Sequence, residues 1–225
     1  MVKPAANPDQ PAQAQTIDAQ LENARPEDAR PEDDWDSHWS TFDALSQANP
    51  AVHWRHRVLL KLLGLNQPKL APGMRILDIG SGPGDFAARA LERHPSLPFL
   101  GLELSQTGCD IAAGRAPGGV FLATDLMQNP SPQPEHKAWA SHAVCTEVLE
   151  HVADPVSLLQ AARQWMQPGC RLVVTVPGGP MSAFDKHIGH HRHYTPSLLR
   201  QTLTDAGFDV ELAGGAGFPF FNLYR

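Results

Sequence analysis

The sequence lacks most of what a membrane-spanning, extracellular or nucleic-acid-binding protein would carry. No run approaches the roughly 20 apolar residues that a bilayer span requires. The Ala-, Pro- and Gln-rich opening has neither the charged start nor the apolar middle of a secretory signal. Only three cysteines occur, Cys109, Cys145 and Cys170, an odd number without C-x-x-C spacing, which argues against a disulfide scaffold or a Cys-rich zinc site and for reduced core thiols. Basic excess is missing too, with a formal net charge of -6. Residues 1–40 hold nine acids against three bases, and taking these from the totals of 24 and 18 leaves 15 of each sign in the remainder. No DNA partner is therefore expected, although a small RNA end stays open as a substrate. A soluble, cytoplasmic protein is the expectation, and collagen, coiled coil and wholesale disorder are excluded by a composition that is 42% hydrophobic and 19% charged.

What is present divides at about residue 34. Residues 1–34 read as a disordered acidic leader, polar and carrying the direct repeat Ala24-Arg-Pro-Glu-Asp28 and Ala29-Arg-Pro-Glu-Asp33. Residues 35–225 read as one domain whose first helices, within 35–68, could lid a pocket. Trp35, Trp39, Phe42 and Leu45 fall on one helical face, and Pro50 opens a second helix that Gly64 closes. Beyond Met74 short apolar runs alternate with amphipathic segments, the pattern of a doubly wound, mostly parallel α/β sheet. Six strands are expected: Arg75–Ile79, Phe99–Leu104, Gly119–Ala123, Ala140–Cys145, Arg171–Val176 and Phe208–Leu212.

Ligands of such a sheet bind beyond the carboxyl ends of its strands. After the first strand stands Asp78-Ile-Gly80-Ser-Gly82-Pro-Gly84-Asp85, a turn that lets backbone approach a ligand closely. Asp85 occupies the third glycine of the dinucleotide fingerprint, and acids at 78 and 85 would repel a pyrophosphate while tolerating a sulfonium or an amine. Glu103, followed by Leu104, ends the second strand where a carboxylate can accept from ribose hydroxyls, a role that NAD would serve equally well. Asp125 at the third strand tip could receive a purine amino group with Leu126 on the ring; a turn role for Asp125 is the plainer alternative.

Ile76-Leu-Asp-Ile-Gly-Ser-Gly-Pro-Gly84, Glu103, Asp125-Leu126 and Cys145-Thr-Glu-Val-Leu-Glu-His-Val-Ala-Asp-Pro155 together resemble the successive motifs of class I S-adenosylmethionine-dependent methyltransferases. The resemblance spans about Trp35 to Leu212 and implies a Rossmann-like, seven-stranded sheet. It puts Asp78 and Gly80, Gly82 and Gly84 at the amino-acid part of S-adenosylmethionine, Glu103 at its ribose, Asp125 and Leu126 at its adenine, and Glu147 beside it. The pattern departs at its end, where only Phe218-Pro-Phe-Phe-Asn-Leu-Tyr-Arg225 follows Gly217 and no seventh strand is legible. A shortened chain, or an apolar tail covering the core in its own way, are the two readings.

Glu147, Glu150 and His151 stand at i, i+3 and i+4, so a helical turn after the fourth strand would gather them on one face. Two carboxylates so close repel, and a cation or a proton would relieve them. Four of the eleven histidines crowd into Lys186-His187-Ile-Gly-His190-His191-Arg-His193-Tyr194, on the connection after the fifth strand. Carboxylate with imidazole suits Mg, Mn, Fe or Zn. The Glu-x-x-Glu-His pattern is similar to that of ubiquinone-pathway O-methyltransferases and small-RNA 3'-terminal 2'-O-methyltransferases, which implies a divalent cation held by Glu147, Glu150, His151 and, by its place before Tyr194-Thr195, His190. Residues 189–195 also resemble the Gly-His-x-Arg-x-Tyr-Thr signature of bacterial saccharide- or lipid-precursor methyltransferases.

The expectation that follows is methyl transfer to the oxygen of a small-molecule acceptor, catechol or sugar in kind. Either the cation would lower the hydroxyl's pKa, or His151 or His190 would take its proton directly. An NAD-dependent dehydrogenase or epimerase is the rival enzyme, disfavoured by Asp85 and by the lack of a Tyr-x-x-x-Lys pair. A non-catalytic S-adenosylmethionine-binding module, and a partner-recruiting protein using the acidic leader, are the rivals from other classes.

Overall fold

A computed structural model describes residues 35–37, 39 and 49–216. The acidic leader, Phe42, Leu45 and the segment after residue 216 lie outside these. No described helix is long and apolar enough to cross a membrane.

The first continuous element is helix α1 (Pro50–Leu62), whose ends obey local chemistry. The Asn49 side chain accepts from Ala51 N at 2.9 Å, Pro50 occupies the first turn, and Gly64 follows at φ 73°. Strands and helices then alternate: β1 (Ile76–Ile79), α2 (Asp85–Arg93), β2 (Phe99–Glu103), α3 (Gln106–Arg115), β3 (Val120–Ala123), β4 (Ala140–Thr146), α4 (Pro155–Ala162) and β5 (Met166–Thr175). The short α5 (Ala183–His187) precedes α6 (Pro196–Asp205), which Thr195 caps by accepting from Leu198 N at 3.2 Å.

All pairings are parallel, in the order β3-β2-β1-β4-β5. The order reverses between β1 and β4, and the carboxyl ends beside that reversal are where the ligand crevice of a doubly wound sheet lies. β1 and β2 are buried along their whole lengths, as strands covered on both faces must be. Alternate side chains enter two cores: Leu77, Ile79, Leu100 and Leu102 face α4 and α6, whereas Ile76, Phe99 and Val144 join Leu59, Leu60 and Phe86 of α1 and α2.

Two expectations about the sheet need correcting. Five strands, not six, form the sheet among the described residues. Residues 208–212 are not a strand, because their backbone is engaged locally: Phe208 N donates to Leu203 O at 2.9 Å and Arg200 donates to Val210 O at 2.7 Å. The last strand is also longer than its apolar run, since β5 begins at Met166 opposite Ala140 and rejoins regular register at Arg171 after an irregularity.

Candidate active site

The glycine turn after β1 is tied to β2, with Gly80 N and Ser81 N both donating to Leu102 O, at 2.8 and 3.0 Å. Gly84 is at φ 79°, and a Cβ there would stand 2.8 Å from the Ala112 side chain and 2.9 Å from its Cα, so this position requires glycine. Asp85 starts α2 with its carboxylate on Arg115 at 2.7 Å.

Asp78 is 2% exposed, and its Oδ1 has no hydrogen-bond partner among the described residues. Burial, reinforced by the charge of Glu103, pushes its carboxyl up to about 8. Glu103 accepts from Gly82 N at 2.8 Å and from Ser105 N at 3.1 Å, and the Trp39 indole N–H donates to it at 3.5 Å. Burial raises its pKa against these hydrogen bonds, which favour the ionised form. The Trp39 ring lies against the turn, 3.0 Å from where a Cβ at Gly82 would be.

At the third strand tip Asp125 Oδ1 accepts from Met127 N at 2.8 Å and Gln128 N at 3.3 Å, so that oxygen serves the turn. Leu126 is 5% exposed and belongs to the core, while Leu104 is exposed.

Beyond β4 the expected helical turn does not gather all three acid and histidine side chains. Glu147 adopts φ 54°, a left-handed backbone that breaks helical spacing. Its carboxylate pairs with Arg55 of α1 at 3.1 Å and accepts from Thr175 of β5 at 3.1 Å, apart from the proposed ligand set. Residues 149–151 form one tight turn, closed by His151 N donating to Val148 O at 3.0 Å. Glu150, His151 and His190 do converge, with one ligand atom of each within 4.8 Å of the others. The imidazoles of His151 and His190 meet edge to face at 4.6 Å, and Trp35 stands edge-on to His151 at 5.0 Å.

Glu150 is the least ordinary member of this group. It is 1% exposed, and neither carboxyl oxygen has a hydrogen-bond partner among the described residues. Burial, then the nearby Glu147 charge, pushes it up to about 9, so it holds a proton at neutral pH. The loop after β5 is fastened across this turn: His191 N donates to Glu150 O at 2.7 Å, and the Tyr194 hydroxyl to Leu149 O at 3.2 Å. Cys145 is fully buried beneath it with its thiol pushed well above its ordinary value, in keeping with a core thiol.

Two residues of the site escape a reading by spacing, and a third carries a local signature. Trp39 and Arg55 reach it from the amino-terminal helices through long-range contacts that have no local signature. Asp185, buried in α5, was signalled by Ser182-x-x-Asp185, a capping box in which Ser182 N donates to the carboxylate at 2.7 Å.

A family profile described as a methyltransferase domain matches residues 51–213. The ubiquinone biosynthesis O-methyltransferase of Acinetobacter baylyi (strain ATCC 33305 / BD413 / ADP1) is 24% identical over 194 residues, which cover 79% of this chain and 77% of that protein. That of Aeromonas salmonicida (strain A449) is 32% identical over 179 residues, covering 68% and 71%. Haemonchus contortus phosphoethanolamine N-methyltransferase 2, solved with S-adenosyl-L-methionine, superposes with a TM-score of 0.62 at 17% identity over 82% of this chain and 46% of that one. With this profile over most of its length, and with the parallel sheet and glycine turn around the crevice, the chain belongs to the class I S-adenosylmethionine-dependent methyltransferases.

Proposed function

We propose that the chain transfers a methyl group from S-adenosylmethionine to an oxygen of a small-molecule hydroxyl, with Glu150, His151 and His190 as the acceptor-side machinery. The observation that carries this reading is Glu150, a buried carboxyl without a hydrogen-bond partner among the described residues, set beside two imidazoles at the carboxyl end of β4. The relatives that are 24% and 32% identical are themselves named O-methyltransferases.

S-adenosylmethionine supplies an electrophilic methyl: the acceptor oxygen forms a bond to carbon while the carbon–sulfur bond breaks and its electron pair returns to sulfur. The protein has to orient the acceptor and remove its proton. Alignment of the reactants contributes several kcal/mol. Glu103, held at the end of β2 by the amides of Gly82 and Ser105, is the acceptor for the nucleoside's hydroxyls. Buried Asp78 would meet the cationic amino group, which favours its ionised form. His151 is the proton acceptor, with His190 at its edge. In the cofactor pocket we also assign Gly80, Gly84, Asp125 through its second oxygen, and Leu126.

Glu150, His151 and His190 also fit a divalent cation, since an unpartnered buried carboxyl with two imidazoles is a suitable donor set. Such an ion would lower the pKa of a bound hydroxyl. Glu147 would join only after leaving Arg55.

The test is transfer to catechols and sugar diols, with amines and carbon acids as controls, in the wild type, Glu150→Gln and His151→Gln. Loss of turnover with S-adenosylhomocysteine affinity retained is expected. Unimpaired turnover in both variants, or transfer to the amines or carbon acids alone, would refute the proposal.

A further inference from the structure

The loop after β5 contains a second convergence of donor atoms, which shares only His190 with the group around Glu150. Asp185, His190 and His193 bring a carboxylate oxygen and two ring nitrogens within 4.8 Å of one another. His193 Nε2 lies 3.0 Å from His190 Nδ1 and 3.6 Å from Asp185 Oδ2, and His190 Nδ1 lies 3.9 Å from Asp185 Oδ1. Two ligands each about 2.1 Å from one ion stand about 3.0 Å apart at a right angle and about 3.4 Å apart at the tetrahedral angle. The His190–His193 separation of 3.0 Å matches those values, while the two Asp185 oxygens, one facing each histidine at 3.6 and 3.9 Å, stand wider, so one ion could be reached by all three side chains once the carboxylate closes by about half an ångström.

The surroundings already orient two of these ligands. His193 Nδ1 is 3.1 Å from the Gly179 carbonyl, which can only accept, so Nδ1 carries the proton and a neutral His193 turns the lone pair of Nε2 toward the cluster. Asp185 is fixed by the capping box, accepting from Ser182 N and Oγ at 2.7 and 2.8 Å. The side chains of His193, His190 and Asp185 are 4%, 8% and 12% exposed, which shields the cluster from solvent.

We propose that Asp185, His190 and His193 bind a divalent first-row transition metal of the zinc type, an ion that cross-links the loop after β5. One carboxylate with two imidazoles suits zinc, cobalt, iron(II) or manganese better than magnesium or calcium, which prefer all-oxygen shells. The ion ties α5 to the segment before α6 and thereby holds His190 beside His151. The site does not depend on which acceptor is methylated, and Asp185 and His193 lie outside the proposed proton-transfer group.

The full chain is stripped of metal, dialysed against zinc and analysed for bound ion. The wild type should retain one tightly held zinc, with affinity reduced tenfold or more in Asp185→Asn and His193→Gln and unchanged in Glu150→Gln. Cooperative thermal unfolding and S-adenosylhomocysteine binding verify the fold of each variant. As a gain-of-signal measurement, cobalt-loaded His193→Cys should show a thiolate-to-cobalt charge-transfer band in the near ultraviolet that cobalt-loaded wild type lacks. No retained zinc in the wild type, zinc lost in Glu150→Gln but kept in His193→Gln, or no new band in folded, cobalt-loaded His193→Cys would each overturn the proposal. Methyl transfer enters none of these readouts, so failure of the metal site and failure of the oxygen-transfer reading are told apart.

Discussion

Replacing Glu150 by glutamine should stabilise the metal-free protein while removing its activity. The carboxyl is pushed from 4.5 to about 9, chiefly by burial. In the unfolded chain it is ionised at pH 7, whereas in the fold it keeps its proton. Its contribution to stability is fully present below pH 4.5 and is lost as the pH rises toward 9. At 1.36 kcal/mol per pKa unit, the 2.5 units between 4.5 and pH 7 amount to an upper bound of about 3 kcal/mol. A neutral amide of similar shape avoids that cost. For a domain of this size the gain corresponds to a rise in Tm of about 6–12 °C at pH 7, shrinking to nothing near pH 4.5. Thermal unfolding of the chelator-treated proteins from pH 5 to 8 measures it, and the wild type should lose stability more steeply with pH than the variant. A variant that melts below the wild type at pH 7, or that keeps the full wild-type slope, would mean that Glu150 is ionised and paired in the fold.

Asp78, raised to about 8, should ionise when an ammonium-bearing nucleoside binds, so S-adenosylhomocysteine affinity should climb between pH 6 and 8. Titrations of Asp78→Asn should show that dependence flattened. Gly84→Ala, at φ 79° and against Ala112, should cost about 2 kcal/mol or more in urea unfolding, whereas Gly114→Ala, with open space around it, should stabilise α3 by about 0.5–1 kcal/mol. Leu59→Ala, at a position with 0% exposure, should cost about 2–5 kcal/mol in the same assay.

Elements whose ends are set by their own residues were legible in the sequence. Asn49-Pro50 and Gly64 bound α1, Thr195-Pro196 and Gly207 bound α6, and the apolar runs at 76–79 and 99–103 became strands buried along their whole lengths. The glycine turn and Glu103 could be placed because strand ends in a parallel sheet share one edge. Glu147 could not, since helical spacing presumes a helical backbone and this residue is left-handed, held by Arg55 and Thr175 from distant segments. Phe208–Leu212 has the composition of a strand, yet Leu203 and Arg200 take up its backbone groups. Trp39 on Glu103 is a contact across 64 positions, and nothing in the local pattern encodes it.

Calorimetric titration of the full chain with S-adenosylhomocysteine, with NAD as the control and Glu103→Gln as the variant, bears most directly on the crevice between β1 and β4. Micromolar binding of the nucleoside, at least tenfold weakening in Glu103→Gln and no heat from NAD are the expected results. Binding of NAD in its place, or nucleoside affinity indifferent to Glu103, would contradict the assignment of this crevice as the cofactor pocket.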